Sequence, residues 1–196
     1  SVPTHKVAVQ KISEFTKTPG SIIIGTERMV PYLPHVALTV VASIDSILSL
    51  PAWRAEEHAL SILHALVERT DEHVIIETRR PESRVMKSIT SSPLDFLRDE
   101  LKERHAFGYP PYKVFIGLTW EGTDAHCAER KNLVATLLSD LDLVGPLPPE
   151  AVSRGQYRQR AVVRVEPSEW PNDALIARLE SLPVDIAITV DPDDIV

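Results

Sequence analysis

The run from Pro93 to Tyr112, PLDFLRDELKERHAFGYPPY, constrains this chain more than any other, because it must begin as a helix, stop abruptly and hand over to a strand. Pro93 suits a first helical turn, where a missing N–H costs nothing. Leu94, Leu97 and Leu101 recur at helical spacing and predict an apolar face, while Glu100 and Arg104, four apart, predict an ion pair on the wet face. Gly108 can take the left-handed conformation that closes a helix, and Pro110-Pro111 removes two donors and drives Tyr109 out of the helical region. Lys113 to Glu121 must then be extended. The expected organisation is a first unit over residues 1–92, a connecting helix and Tyr-Pro-Pro joint over 93–111, and a second unit over 112–196.

In the first part, Val9, Ile12 and Phe15 predict a short amphipathic helix ending at Pro19-Gly20. Ser21 to Thr26 (SIIIGT), Ala37 to Ile44 (ALTVVASI) and Val74 to Glu77 (VIIE) are short apolar runs of the kind seen in buried parallel strands. Between the last two, Ala55, Ala59, Ile62, Leu63 and Leu66 share one face of a helix from Arg54 to Arg69, long enough for a right-handed crossover. The prediction is an α/β layer with an incomplete parallel sheet of about three or four strands. The chain opens without a methionine and its first apolar run starts only at Ser21, so the expectation is the tail of a longer protein.

Sheets of this kind hold ligands at the carboxyl ends of their strands, which singles out Gly25-Thr26, Ser43 with Asp45, and Thr78-Arg79-Arg80. Two readings stand side by side: a phosphate or nucleic-acid edge, or Thr26 and Asp45 merely capping the segments that follow. No G-x-x-x-x-G-K-[ST], G-x-G-x-x-G or H-E-x-x-H motif occurs anywhere in the chain.

The second part alternates differently. Val114, Ile116, Leu118 and Trp120 share one face of a strand, Leu133, Val134, Leu137 and Leu138 mark a helix from about Asp124 to Asp140, and two strands follow near Leu141 to Gly145 and Tyr157 to Glu166. A helix from Pro171 to Leu182 and a strand from Asp185 to Val190 complete the order βαββαβ. That order predicts the ferredoxin-like plan, an antiparallel sheet with two helices on one face and the other face open. The fold class expected for the whole chain is therefore α/β followed by α+β.

A formal net charge of −7 argues against a protein that coats nucleic acid through its overall field, so any such binding must come from a local patch. The candidate patch is Ser153 to Arg164, SRGQYRQRAVVR. Strand alternation puts Arg158, Arg160 and Arg164 on one face and Gln159, Ala161 and Val163 on the other, with Arg154 and Tyr157 at the preceding turn. A guanidinium and an aromatic ring there suit a phosphate and a base, or an acidic peptide; the bland alternative is a solvated strand face neutralised by nearby carboxylates. Other chemistry fades. His58, His64, His73, His105 and His126 share no metal-ligand spacing, Glu56, Glu57, Asp99, Glu100 and Glu103 read as solvated helix faces, and Cys127, the sole cysteine, has no base placed beside it. No apolar run approaches a membrane span, and with no signal-peptide pattern the chain reads as cytoplasmic.

The series of motifs resembles the C-terminal portion of the primosomal protein N' (PriA) family, replication-restart helicases of superfamily two, over nearly all of the chain. Ile22-Ile-Ile-Gly-Thr-Glu-Arg-Met29 is similar to the family's motif V, and Val40 to Arg54 with Asp45, followed by Glu57, is similar to its "D-x-D … F-R" stretch. Arg104, Tyr109-Pro-Pro-Tyr112, Gly145-Pro146, Arg154-Gly155 with Tyr157-Arg158, and Val190-Asp191-Pro192 are similar, in order, to landmarks of the family's C-terminal domain. The resemblance implies that the first part is the end of helicase lobe two and the second that C-terminal domain, with branched or single-stranded DNA as partner. Single-stranded DNA-binding protein and other primosome proteins are further partners of the family, but Ser168-Glu-Trp-Pro-Asn-Asp173 is not basic, and no acidic-tail site is carried over onto it.

The departures bear on activity. The family's Lys-Gly-His element is absent after Met29, and where the family has a Gln followed by G-R-A-G-R this chain reads Ala65-Leu-Val-Glu-Arg-Thr70, keeping at most Arg69. Those arginines stabilise charge on a transferring phosphoryl group, so the family's 3′–5′ helicase and ATPase activity is not expected from these residues alone. Its phosphate loop and zinc-binding cysteines would lie upstream of Ser1, so no cofactor is expected in this chain, neither ATP nor zinc. The residues expected to touch DNA are Arg154, Tyr157, Arg158, Arg160 and Arg164, with Thr26 a weaker contact at the lobe edge. The alternative is a protein-interaction module whose arginine strand docks an acidic partner of the primosome.

Overall fold

The computed structural model describes residues 5–50 and 52–193. It divides into two units, Ser1–Leu50 with Arg54–Phe96, and Pro51–Trp53 with Leu97–Val196.

The first unit opens with α1 (His5–Lys17), and Gly20 beyond it takes a positive φ of 75°. Residues 21–26 do not form the predicted strand: they have no regular structure, and Ile22 and Ile24 are 88% and 91% exposed. Three consecutive isoleucines favour extended backbone, but a strand also needs a neighbour for its N–H and C=O groups, and none of the described residues pairs with this run as a strand. A 3-10 helix, Glu27–Tyr32, follows at once, and its Met29 side chain fills the space a Cβ on Gly25 would need. Among the described residues the sheet therefore has two strands rather than three or four.

Those strands are β1 (Val36–Val41) and β2 (Thr70–Ile76), parallel, with Leu38 opposite His73 and Val41 opposite Ile76. Between them come α2 (Asp45–Leu48) and the crossover α3 (Ala55–Glu68), and α4 (Arg84–Thr90) follows β2. Ile44, Ala59, Leu60, Leu63, Val85 and Phe96 form the core, with Val41 and Ile76 packed against it from the sheet. The alternate side chains, Leu38, Val40 and Ile75, are exposed, so this parallel pair is buried on one face only.

Helix α5 (Pro93–Phe107) is turned over relative to expectation. Leu94, Leu97 and Leu101 are exposed, while Glu100 and Arg104 are only 7% and 8% exposed. Arg104 Nε donates to Glu100 Oε1 at 3.0 Å, and its guanidinium lies 4.7 Å from the centre of the Trp53 ring. Trp53 in turn meets Tyr109 and Phe115 edge-on at 6.2 and 6.0 Å, and its Nε1 donates to Pro192 O at 3.0 Å. The arginine is drawn inward by an aromatic face that helical periodicity does not reveal. Gly108 closes the helix in the left-handed region as expected (φ 63°), Tyr109 N donates to Arg104 O, and the Pro110–Pro111 peptide is cis.

The second unit continues with β3 (Val114–Gly122), α6 (Asp124–Leu137), β4 (Asp142–Val144), β5 (Glu150–Ser153), β6 (Gln156–Val165), α7 (Asp173–Glu180) and β7 (Ala187–Val190). The sheet is antiparallel in the order β4-β6-β3-β7, and β5, which periodicity missed, also pairs with β6. Ile116, Leu118 and Trp120 of β3 and Ala161, Val163 and Val165 of β6 pack with Cys127, Val134 and Leu138 from α6 and its end and with Leu179 of α7. The opposite face is not fully open. Phe115 is 1% exposed beneath the Trp53 and Tyr109 rings, and a Cβ on Gly117 would come within 2.9 Å of Pro192 Cγ.

Candidate nucleic-acid interface

The arginine face is built by strand alternation. In the β3–β6 register Arg158 lies opposite Glu121, Arg160 opposite Thr119 and Arg164 opposite Phe115, all on the sheet face away from α6 and α7. Each guanidinium meets a carboxylate of its own chain. Arg158 donates through Nε to Glu121 Oε1 at 2.7 Å, Arg160 Nη1 lies 3.6 Å from Glu150 Oε2, and Arg164 Nη2 donates to Asp142 Oδ1 at 2.9 Å. Three neighbouring strands supply the acids: β3 gives Glu121, β5 gives Glu150 and β4 gives Asp142. Opposite charges on facing strands stabilise a sheet modestly and hold the long side chains in one geometry. The arginine side chains remain 33%, 21% and 29% exposed, so the face is partly neutralised but not sealed.

Arg154 and Tyr157 do not share that surface. Arg154 sits at the tip of the β5–β6 hairpin beside Gly155 (φ 73°), is exposed, and has no ion-pair partner among the described residues. Tyr157 lies within β6 on the helix side, packed against the core, and its carbonyl accepts from the buried Cys127 thiol at 3.6 Å. Burial, with the Asp124 charge nearby, pushes that thiol up, which removes it as a nucleophile. Thr26 belongs to the first unit; it is exposed at the start of the 3-10 helix, and its side chain makes no capping bond.

Of the residues singled out in the sequence, Asp45 and Thr78-Arg79-Arg80 meet beyond the carboxyl ends of β1 and β2, whereas Gly25-Thr26 ends no strand. Asp45 Oδ1 accepts from Thr78 Oγ1 and Oδ2 from Arg79 N, both at 2.8 Å, and Arg80 N donates to Thr78 Oγ1 at 3.0 Å. The Arg79 N–H, then the Thr78 hydroxyl, hold the Asp45 carboxyl below the ordinary carboxylate range, with smaller help from the Arg80 and Arg79 charges. Asp45 thus ties two strand ends together rather than capping the helix that follows.

A third charged cluster was not foreseen. Asp185 Oδ2 takes His126 Nε2 at 2.8 Å and Arg130 Nε at 2.9 Å, which lowers its carboxyl, chiefly through the Arg130 bond. The only sequence signal was His126 and Arg130 one turn apart on α6, and their partner lies beyond α7. Among the described residues no group of three or more His, Cys, Asp or Glu side chains could hold a metal ion, and no helix is long and apolar enough to cross a membrane.

Residues 105–193, which carry the joint, the sheet and the arginine strand, match the model of the primosomal protein N C-terminal domain. They are a PriA C-terminal domain. Similarity to PriA extends beyond it: the chain is 25% identical over 182 residues to the replication restart protein PriA of Thermotoga maritima, covering 87% of this chain and 24% of that protein. It is 27% identical over 192 residues to the Bacillus subtilis PriA, covering 90% of this chain and again 24% of the relative. The chain thus spans about a quarter of the length of these curated PriA relatives. The landmarks read as a PriA resemblance, from Arg104 to Asp191-Pro192, fall almost wholly within the matched domain.

Proposed function

We propose that this chain is the DNA-contacting C-terminal part of a PriA-type replication-restart protein, acting in the cytoplasm on branched or single-stranded DNA, with its motor residues lost. The observation that carries the reading is the domain match over residues 105–193, supported by relatives named replication restart proteins that align with most of the chain. On this reading the lobe end runs to residue 92, the joint to residue 111, and the C-terminal domain from there on. The strand order β4-β6-β3-β7, with α6 and α7 on one face, supports the ferredoxin-like plan once β5 is counted as an addition.

Binding of DNA centres on the hairpin tip and the strand behind it. Arg154 meets phosphate first, having no carboxylate to give up, and Arg158, Arg160 and Arg164 exchange Glu121, Glu150 and Asp142 for phosphates when the duplex or strand is close. Tyr157, packed on the other face, contributes to the hairpin rather than stacking on a base. Thr26 remains a minor contact of the first unit. Fluorescence anisotropy on a labelled fork tests this: the Arg158→Glu/Arg160→Glu variant should bind more weakly and with a flatter salt dependence, by roughly 0.9 in log–log slope for each duplex phosphate that is no longer neutralised. Unchanged affinity and slope in that variant and in Arg154→Glu would overturn the assignment.

The second reading, a module that docks an acidic partner of the primosome, is favoured by one feature: the arginine face already accepts three carboxylates. Competition between a short acidic peptide and the fork for the same arginines separates the two. Neither reading needs ATP or zinc from these residues. A DNA-stimulated ATPase assay on the 196 residues should stay at background, since the arginine motif is reduced to Arg69, whose Nη1 donates to Ala65 O at 3.1 Å.

A further inference from the structure

The carboxyl edge of the parallel pair is a built feature to which the arginine-strand reading assigns nothing. Both oxygens of Asp45 are spent on fixing backbone and hydroxyl positions, one on Thr78 Oγ1 and one on Arg79 N, and Thr78 Oγ1 in turn fixes Arg80 N. The turn is held at its far side as well: Ser83 N donates to Arg80 O at 3.1 Å, and the Ser83 hydroxyl caps α4. On the near side Glu77 N and O bond to Val41 O and Ile44 N, which extends the pairing of β1 and β2 up to the turn. Residues 77 to 83 are therefore pinned at both ends and in the middle.

From this pinned turn two adjacent arginines, Arg79 and Arg80, project as exposed residues. Neither guanidinium has an ion-pair partner among the described residues, in contrast to the three arginines of β6. Of the two acids that flank them in sequence, Glu77 and Glu82, the second is offset by Lys87 at 3.3 Å. In a chain of net charge −7 such a pair stands out, and its backbone is ordered before any ligand arrives, so binding orders only the side chains. The position is the one at which open α/β sheets meet their ligands, outside the carboxyl ends of the strands.

We infer that Arg79 and Arg80, presented by the Asp45–Thr78 clasp, form a second phosphate-binding point of this protein, taking consecutive backbone phosphates of single-stranded DNA. The inference rests on the DNA-binding reading above but uses different residues in the other unit. The ligand chemistry is a phosphate, which a nucleotide also offers; the sugar–phosphate backbone is favoured because two neighbouring guanidiniums with no phosphate loop match a repeating charge better than a polyphosphate bound end-on.

The test uses the whole chain and a labelled single strand, titrated by anisotropy at several salt concentrations. Arg79→Ala/Arg80→Ala should weaken binding on the order of tenfold and flatten the log–log salt slope by about 1.4, two phosphates at ~0.7 each on single strands, with folding unchanged by circular dichroism. Arg79→Lys/Arg80→Lys should recover most of the slope. The clasp is tested apart: Asp45→Asn, which keeps the guanidiniums but weakens the anchor, should reduce affinity with the slope nearly intact. If the double alanine variant binds as the parent does while Arg158→Glu/Arg160→Glu does not, the inference fails and the earlier reading stands. A parent that binds no DNA overturns both. If millimolar ATP or inorganic phosphate abolishes the Arg79- and Arg80-dependent part of binding at constant ionic strength, the point is a nucleotide or free-phosphate site and the DNA assignment fails.

Discussion

Replacing Glu100 by alanine separates the two alternative placements of α5 most sharply. On a solvated helix face, an i,i+4 Glu–Arg pair stabilises by roughly 0.3–0.5 kcal/mol. In the structure the same pair has side chains only 9% and 10% exposed, with Nε and Oε1 3.0 Å apart. At an effective dielectric of ~20 the gross attraction at that distance is about 5 kcal/mol, and most of the desolvation cost is already spent in the native state. Removing one partner of a buried pair costs about 3–5 kcal/mol, because the other charge stays buried. Glu100→Ala should therefore lower unfolding stability by about that amount, roughly tenfold more than a surface pair allows. Urea unfolding followed by tryptophan emission is the suitable assay, since Trp53 lies 4.7 Å from the Arg104 guanidinium and its spectrum should shift in the folded variant as well. The Glu100→Leu/Arg104→Leu double variant should recover much of the loss, as apolar replacements of buried pairs often do. A loss below about 0.5 kcal/mol for Glu100→Ala would refute the buried placement.

Three further outcomes follow from local geometry. Gly108→Ala should cost about 1–2 kcal/mol in urea unfolding through its left-handed φ of 63° alone, because the nearest heavy atom to the added Cβ is Lys113 Cγ at an ordinary 3.6 Å. Asn172→Ala should cost about 1 kcal/mol by the same measurement, since the Asn172 side chain accepts from Ala174 N and Leu175 N at the start of α7. Asp185→Asn should be less stable than the parent at pH 7 and converge with it in acid. The Asp185 carboxyl is lowered by folding, so its stabilisation is complete above the unfolded value near ~4 and disappears as pH falls through the lower folded value; a gap between the two proteins that persists unchanged down to about pH 2 would contradict the Arg130 and His126 bonds.

What could be read in the primary structure was everything decided by neighbours along the chain. The stop at Gly108-Tyr109-Pro110-Pro111, the crossover helix between two parallel strands, the helices and strands of the second unit apart from β5, and the sharing of one face by Arg158, Arg160 and Arg164 all rest on turn chemistry and on periods of 3.6 and 2, which are local. The PriA landmarks were legible for a similar reason, since glycines and prolines at special backbone positions leave a readable order.

Only the tertiary structure decided which of two permissible faces turns inward and which charges find one another. Periodicity groups Leu94, Leu97 and Leu101 as surely as it groups Phe96, Glu100 and Arg104; the choice is made by Trp53, distant along the chain, whose ring takes the arginine. The isoleucines of Ser21 to Thr26 have the composition of a strand but no ladder partner among the described residues, so they stay outside the sheet. The arginines of β6 are paired because three separate strands bring Glu121, Asp142 and Glu150 within reach, while Arg79 and Arg80 stay exposed and the oxygens of Asp45 go to the Thr78 hydroxyl and the Arg79 N–H. A sequence lists charges in order, but their interaction depends on distance through space, and that distance is set only when the chain has folded.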